Sequence, residues 1–332
     1  MKIKENYQSK LTIYETQVAI GLLKKSFEKN LSEALNVKRV SAPLFVEATS
    51  GLNDDLNGFE KPVSFNLKSS NKELQIVHSL AKWKRLALYD YKFPVGEGLY
   101  TDMNAIRKEE DLDNIHSIYV DQWDWEKVIT EKERTVEYLK DIVRKIIHAI
   151  SLTNLEMNSL FPKLTYIIPD EVSFITSEEL RTMYPTLTPK ERENAYVKLH
   201  PVTFLMQIGK TLSDGTKHDG RAPDYDDWDL NGDILVYNEI LDSAFEISSM
   251  GIRVDKDSLL KQLKSANKEE RLQLYFHQML LNGSLPLTIG GGIGQSRLSM
   301  LLLEKAHIGE VQVSIWDENT FEYCKEHNIT LL

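Results

Sequence analysis

The chain has 332 residues, with 40 basic and 50 acidic side chains, a net charge of −10 and a pI near 5.4. Its 42% apolar content supports a real core and excludes an intrinsically disordered chain. The acidic balance argues against a primary nucleic-acid binder, and a single cysteine, Cys324, excludes an internal disulfide, a cysteine-based zinc finger and an iron–sulfur cluster.

Met1 to Lys10 is polar, with no basic-then-apolar leader. The most apolar short run, Leu298 to Leu303, falls far below the roughly 20 residues of a membrane span, so a cytoplasmic protein without membrane contact is expected. Thr12 to Leu35 predicts a helix: Thr12 and Glu15 have capping-box spacing, and Ala19, Leu23, Phe27, Leu31 and Leu35 form one stripe. Val37 to Pro43 predicts a short strand whose proline places it at a sheet edge or turn. A polar loop at Leu52–Gly58 precedes strands at Val63–Leu67 and Leu74–Ser79. Ile115–Trp125 alternates as a strand, and Val136, Leu139, Val143, Ile146, Ile147 and Ile150 mark a long helix.

Farther on, strands are expected at Val172–Ile175, Val202–Ile208 and Ile234–Tyr237, with a short helix at Thr188–Tyr196. Leu259–Leu281 reads as helical. Leu285–Ile289 then leads through a glycine turn to a helix from Ser296, and Val311–Trp316 closes as a strand. Strands come in runs, which predicts an α+β fold with an antiparallel sheet flanked by helices. With no repeat or linker, one continuous domain over 1–332 is expected.

Five segments carry chemistry. Gly290-Gly-Gly-Ile-Gly-Gln-Ser-Arg297 lacks both the P-loop ending and the third glycine of a dinucleotide fingerprint, but offers close-approach glycines and an arginine able to clamp phosphate. After Arg107-Lys-Glu109 and a loop, Gln122, Asp124 and Glu126 share one strand face, while Asp121, Trp123 and Trp125 share the other. If both faces are covered, that polar row needs partners such as a ligand ammonium and Arg107. Asp233 and Glu246 lie on neighbouring strand-like pieces and suit Mg²⁺. Arg221-Ala-Pro-Asp-Tyr225-Asp226-Asp-Trp reads as a loop able to bind an amino group or order over a substrate. His78-Ser79-Leu-Ala-Lys-Trp-Lys84-Arg opens a helix with a basic cluster, by default a surface charge run.

In this order the segments resemble motifs 1, 2 and 3 of class II aminoacyl-tRNA synthetases. The strings His78-Ser-Leu-Ala-Lys-Trp-Lys-Arg, Tyr119-Val-Asp-Gln-Trp-Asp-Trp-Glu, Arg221-Ala-Pro-Asp-Tyr-Asp-Asp-Trp and Ser248-Ser-Met-Gly-Ile-Arg bring the resemblance to the ammonia-dependent asparagine synthetase (aspartate–ammonia ligase) family, nearly end to end. That resemblance implies a homodimer and a two-step reaction: aspartate attacks the α-phosphorus of ATP to give β-aspartyl-AMP, and ammonia then displaces AMP.

By family position, Arg107 bridges the α-phosphate and the β-carboxylate, and Arg297 holds the phosphate tail, adenine or both. Lys84, Glu109, Gly292 and Gly294 belong to the ATP site, and Asp233 and Glu246 to Mg²⁺. The substrate ammonium falls to Asp54, Asp124 or Asp226, its α-carboxylate to Ser79, Ser249 or Arg253, and the reacting carbonyl to Gln122, with Arg221 and Tyr225 in the substrate loop. Asp54 is the candidate that captures ammonium and accepts its proton, with Asp55 the alternative aligned acid. The stretch between Trp228 and Asn231 is shorter than the family form. Three other readings are weaker. A glutamine-dependent enzyme would need a nucleophilic cysteine domain. A tRNA synthetase would need an anticodon-binding module, for which the helix beginning near Thr12 leaves no room, and a basic face. A dead regulator would have lost Arg107, Arg297 or a metal carboxylate.

Overall fold

The computed structural model describes residues 3–4, 7–54, 56 and 60–332; the alternative acid Asp55 and part of the 52–58 loop lie outside them. Helix α1 (Ile13–Leu35) starts at the Thr12/Glu15 capping box and ends at Asn36 in the left-handed region (φ 56°). Its predicted stripe is fully buried. Then follow β1 (Val37–Arg39), β2 (Phe45–Glu47), β3 (Ser64–Asn66), β4 (Glu73–Ile76), α2 (Ala81–Asp90), β5 (Gly98–Ile106) and β6 (Tyr119–Val128). Next come α3 (Val136–Leu160), β7 (Ser173–Thr176), α4 (Ser177–Met183), α5 (Pro189–Leu199), β8 (Val202–Met206), β9 (Asp226–Asn238) and β10 (Ser243–Arg253). The chain finishes with α6 (Lys256–Ser265), α7 (Tyr275–Leu281), β11 (Thr288–Gly294), α8 (Gln295–Leu302) and α9 (Glu318–Glu326).

Eight strands form one sheet in the order β1-β5-β6-β11-β10-β9-β8-β7, and β2-β4-β3 make a small second sheet. Only the outermost pairs, β1–β5 and β7–β8, are parallel, so the large sheet is mixed and mostly antiparallel. As expected from Pro43, β1 is an edge strand. α1 and α3 share the main core with the inward faces of β6, β8, β9, β10 and β11. Within it Phe27 meets Trp123 with ring centroids 4.7 Å apart, a contact worth about 0.5–1.5 kcal/mol beyond its buried area.

Four expectations are corrected. The strand expected from Ile115 begins at Tyr119, because Asp113 Oδ1 accepts from the amides of Ile115 and His116 (2.8 Å each) and turns the chain first. Leu259–Leu281 is not one helix: α6 ends before Asn267, which sits at φ 53°, and a 3₁₀ turn over Glu269–Gln273 separates it from α7. Val311–Trp316 alternates without becoming a strand; Val313 and Ile315 are exposed, and the segment pairs with no strand among the described residues. The glycines of Gly290–Gly294 are not a turn but the body of β11, between β6 and β10.

Candidate active site

β6 alternates as the sequence predicts. Trp123 and Trp125 are wholly buried in the main core, while Gln122, Asp124 and Glu126 look the other way into a layer covered by α2. This covered row has the partners such a row requires. Lys84 Nζ, from α2, pairs with Asp124, donates to the Gly291 carbonyl at 3.0 Å and lies 3.9 Å from Glu126. Arg253, from β10, grips Glu126 through Nε and Nη2 at 2.7–3.1 Å and pairs with Asp226 through Nη1. Thr288 Oγ1 donates to the same Glu126 at 2.7 Å. Burial alone would raise the Glu126 carboxyl, but the Arg253 and Lys84 charges hold it below its ordinary range.

Lys84 and Arg253 pair directly with Asp124, Glu126 and Asp226, and the buried guanidiniums of Arg85 and Arg221 add positive charge beside Glu126 and Asp226. Asp124 Oδ2 is buried and has no hydrogen-bond partner among the described residues. An unpaired carboxylate oxygen beneath the cavity suits a ligand ammonium.

The glycines of β11 exist for space. A Cβ on Gly290 would stand 1.9 Å from Glu126 Oε2, and one on Gly292 would stand 2.4 Å from Gln122 Oε1. Gly292 and Gly294 therefore line the cavity by being small. Their strand is paired on both sides, so their amides serve the sheet. Nor is the start of α8 open to an anion, since Asp121 accepts from Ser296 N (3.0 Å) and Oγ (2.9 Å).

Above this floor lies a cavity of about 350 Å³. It gathers Asp54, Ser79, Lys84, Arg107, Gln122, Asp124, Arg221, Tyr225, Asp226, Glu246, Ser249, Arg253, Gly292, Gly294 and Arg297. Arg107 and Arg297, the two arginines expected to meet phosphate, therefore share one cavity. Arg107, just past β5, reaches the His78 carbonyl at 3.4 Å and lies 3.8 Å from Glu110. Arg297, from the first turn of α8, donates to the Glu246 carbonyl at 3.1 Å and lies 3.6 Å from its carboxylate. Arg221 donates to Ser249 Oγ at 2.5 Å and Asp233 Oδ1 at 2.6 Å. Tyr225 stacks under the Arg253 guanidinium at 5.8 Å.

Three residues differ in placement from the sequence expectation. Lys84 is wholly buried and held by Asp124 in the floor, so it is not presented to a phosphate in the cavity. Glu109 points away and accepts from the Lys61 amide at 2.9 Å; its neighbour Glu110 faces the cavity beside Arg107. Asp233 stands behind Arg221, where burial and the charge of Glu246 push its carboxyl up to about 7 despite the guanidinium.

Sequence reasoning missed the anchor of the loop expected to order over a substrate. A single oxygen of buried Asp224 accepts from Lys82 (3.2 Å), Arg271 (3.0 Å) and His277 (2.9 Å), tying the loop of Arg221 and Tyr225 to α2, the 3₁₀ turn and α7. The basic run Lys82, Lys84 and Arg85 is thus interior, not a surface face. The available signal was the adjacency of the run to a strand end opposite an acid-rich loop.

The mixed sheet with the two arginines over its central strands has the architecture of a class II aminoacyl-tRNA synthetase catalytic domain. Asparaginyl-tRNA synthetases of Entamoeba histolytica and Pyrococcus horikoshii, each solved with asparaginyl-adenylate, superpose with TM-score 0.63 over 90% of this chain and 66–68% of theirs, at 15–16% identity. The sequence profile of the aspartate–ammonia ligase family matches residues 14–328. The aspartate–ammonia ligase of Clostridium tetani is 60% identical over 99% of this chain and 97% of its own, and that of Fusobacterium nucleatum 58% over 98% and 99%. The chain belongs to the aspartate–ammonia ligase family.

Proposed function

We propose that the protein makes L-asparagine from L-aspartate and ammonia, using ATP and passing through β-aspartyl-AMP, with release of AMP and pyrophosphate. The observation that carries this reading is the meeting, in one cavity, of Arg107 and Arg297 with a floor that holds the carboxylates of Asp124 and Asp226. An anionic nucleophile must meet a polyphosphate of the same sign, so fixed cations must stand where they meet. A substrate with an ammonium group must also be oriented, which the floor supplies. The relatives named aspartate–ammonia ligase match this chain along its whole length. The tRNA synthetases, at 15–16% identity, share the fold alone.

In this reading Asp124 Oδ2 accepts from the α-ammonium, with Asp54 and Asp226 around it, while Arg253, Ser249 and Ser79 receive the α-carboxylate. Arg221 and Tyr225 close the substrate loop. Gln122 orients the β-carboxylate, Arg107 bridges it to the α-phosphate, and Arg297 neutralises the phosphate tail, with Gly292 and Gly294 leaving room beside it. Lys84 sets the position of Asp124.

Glu246 and Asp233 fit Mg²⁺. Among the described residues no group of three or more metal-ligating side chains occurs, so a bound ion would take most of its oxygens from phosphate and water, the usual Mg²⁺ arrangement. The raised carboxyl of Asp233 is what a nearby cation would relieve. When bound, Mg²⁺ would neutralise phosphate charge.

Homodimerisation is supported by α1, whose outer face exposes Tyr14, Val18 and Leu22 at four-residue spacing. We read the chain as one catalytic domain of a cytoplasmic enzyme acting without nucleic acid. No helix among the described residues is long and apolar enough to cross a membrane.

Incubation with aspartate, Mg-ATP and ammonium should yield asparagine, AMP and pyrophosphate in equal amounts. Appearance of ADP in place of AMP would defeat the adenylate route.

A further inference from the structure

The segment that brings Tyr225 and Asp226 to the cavity is held from outside it. Gln262, on α6 and 4% exposed, spans this segment with one side-chain amide. Its Nε2 donates to the carbonyls of Pro223 (3.0 Å) and Asp226 (2.9 Å), and its Oε1 accepts from the Trp228 amide at 2.8 Å. The grip falls where the sheet gives none. β9 and β10 pair at Asn231–Gly251 and again at Asp226–Arg253, and residues 227–230 lie in the register shift between.

Asp224 supplies a second tie. A carboxylate only accepts, so His277 Nε2 carries a proton and donates at 2.9 Å, to the oxygen that also takes Lys82 (3.2 Å) and Arg271 (3.0 Å). Burial pushes this carboxyl up, but Lys82, the His277 bond and Arg271 together hold it well below the ordinary carboxylate range. Asp224 and His277 are wholly buried. Neither Gln262 nor His277 lines the cavity.

Between these ties Tyr225 and Asp226 do line it, Asp226 paired with Arg253 and Tyr225 beneath the same guanidinium. A segment gripped at its main chain on both flanks and at a side chain between has little freedom left to lose. The entropy of ordering it is met in folding and not again at binding.

We propose that Gln262 and His277 are positioning residues: by fixing Pro223–Trp228 from behind, they keep Tyr225 and Asp226 standing as a wall of the amino-acid half of the cavity before a substrate arrives. The proposal rests on the aspartate–ammonia ligase reading above. Without either tie, only a fraction of the molecules has the wall in place, and the apparent affinity for aspartate falls by that fraction. Saturating aspartate draws the population back, so turnover at saturation is kept. A residue that merely stabilised the fold would act otherwise: its loss would leave less active protein, lowering kcat at an unchanged KM.

The test measures kcat and both KM values in Gln262→Met and His277→Leu, which keep bulk and remove the bonds. Each should raise the KM for aspartate about 10- to 100-fold, with kcat and the KM for ATP within about threefold of the parent. His277→Gln, whose amide can donate to Asp224, should bring the KM for aspartate back to within about threefold. A KM for aspartate unchanged in both variants, an equal rise in the KM for ATP, a fall in kcat at unchanged KM, or His277→Gln as impaired as His277→Leu overturns the proposal. Hydrogen exchange in the ligand-free parent tests it without a variant. The Trp228 amide should exchange at least about 1000-fold more slowly than in an unstructured peptide, and weaker protection overturns the proposal. If the parent forms no asparagine with AMP release, the ligase reading fails, while the exchange result still decides whether the segment is held.

Discussion

Gly290→Ala tests the floor of the cavity most directly. The new methyl would sit 1.9 Å from Glu126 Oε2, 2.6 Å from its Cδ and 2.7 Å from Arg253 Nη2. Restoring an ordinary contact near 3.4 Å moves the carboxylate by about 1.5 Å. That displacement breaks hydrogen bonds now 2.7–3.1 Å long to Arg253 and 2.7 Å long to Thr288, because none survives much beyond 3.5 Å. The carboxylate has nowhere to retreat, as it is wholly buried with Lys84 on another side. Breaking a buried charged pair costs about 3–5 kcal/mol, a large part of a typical stability of about 5–15 kcal/mol. Urea unfolding followed by fluorescence should show that loss, and Glu126→Asp added to Gly290→Ala should recover part of it by shortening the side chain. Gly21→Ala, in α1 with nothing within 4 Å of the added carbon, should instead stabilise by about 0.5–1 kcal/mol. If Gly290→Ala unfolds within about 1 kcal/mol of the parent, the account of why β11 is built of glycine is wrong.

Asp124→Asn should raise the KM for aspartate by 30- to 1000-fold, equivalent to about 2–4 kcal/mol, with less than fivefold change in the KM for ATP; equal rises in both would contradict an ammonium contact. Glu126 is pulled below the ordinary glutamate value of 4.5 although its burial pushes the other way, so its contribution is complete above that value and is lost as pH falls through its lower folded one. Urea midpoints measured from pH 3 to 7 should therefore decline below about 4.5 in the parent and decline less in Glu126→Gln; matching slopes would remove Glu126 from the acid transition. Tyr14→Asp combined with Leu22→Asp should convert a dimer into a monomer in sedimentation experiments, and a parent already monomeric at micromolar concentration would count against the α1 interface.

Much of this architecture was legible because it depends on local periods. α1, α3 and the alternation of β6 follow from side-chain spacing alone, and the pairing of Arg107 with Arg297 follows the motif order. What the sequence hid depends on distant partners. Triple glycine reads as a turn until Glu126 and Gln122 are seen filling the space of the missing side chains. Lys82, Lys84 and Arg85 read as a solvated run because their counterions, Asp224 and Asp124, and the carbonyls of Val254 and Pro286 that Arg85 reaches, lie far along the chain. Val311–Trp316 has the alternation of a strand but pairs with no strand among the described residues, which no local pattern records. Glu109 and Glu110 differ only in which way the chain leaves β5.

The two-sidedness of β6 constrains how such a molecule can diversify. Because tryptophans and charged residues alternate along it, inserting or deleting one residue would exchange them wholesale, driving carboxylates into oil and indoles into the reaction chamber. Point changes within this strand can be sampled singly, whereas changes of length are barred. A library of single-codon deletions should show this as a silent gap over Tyr119–Val128, with survivors gathered in the connections to either side.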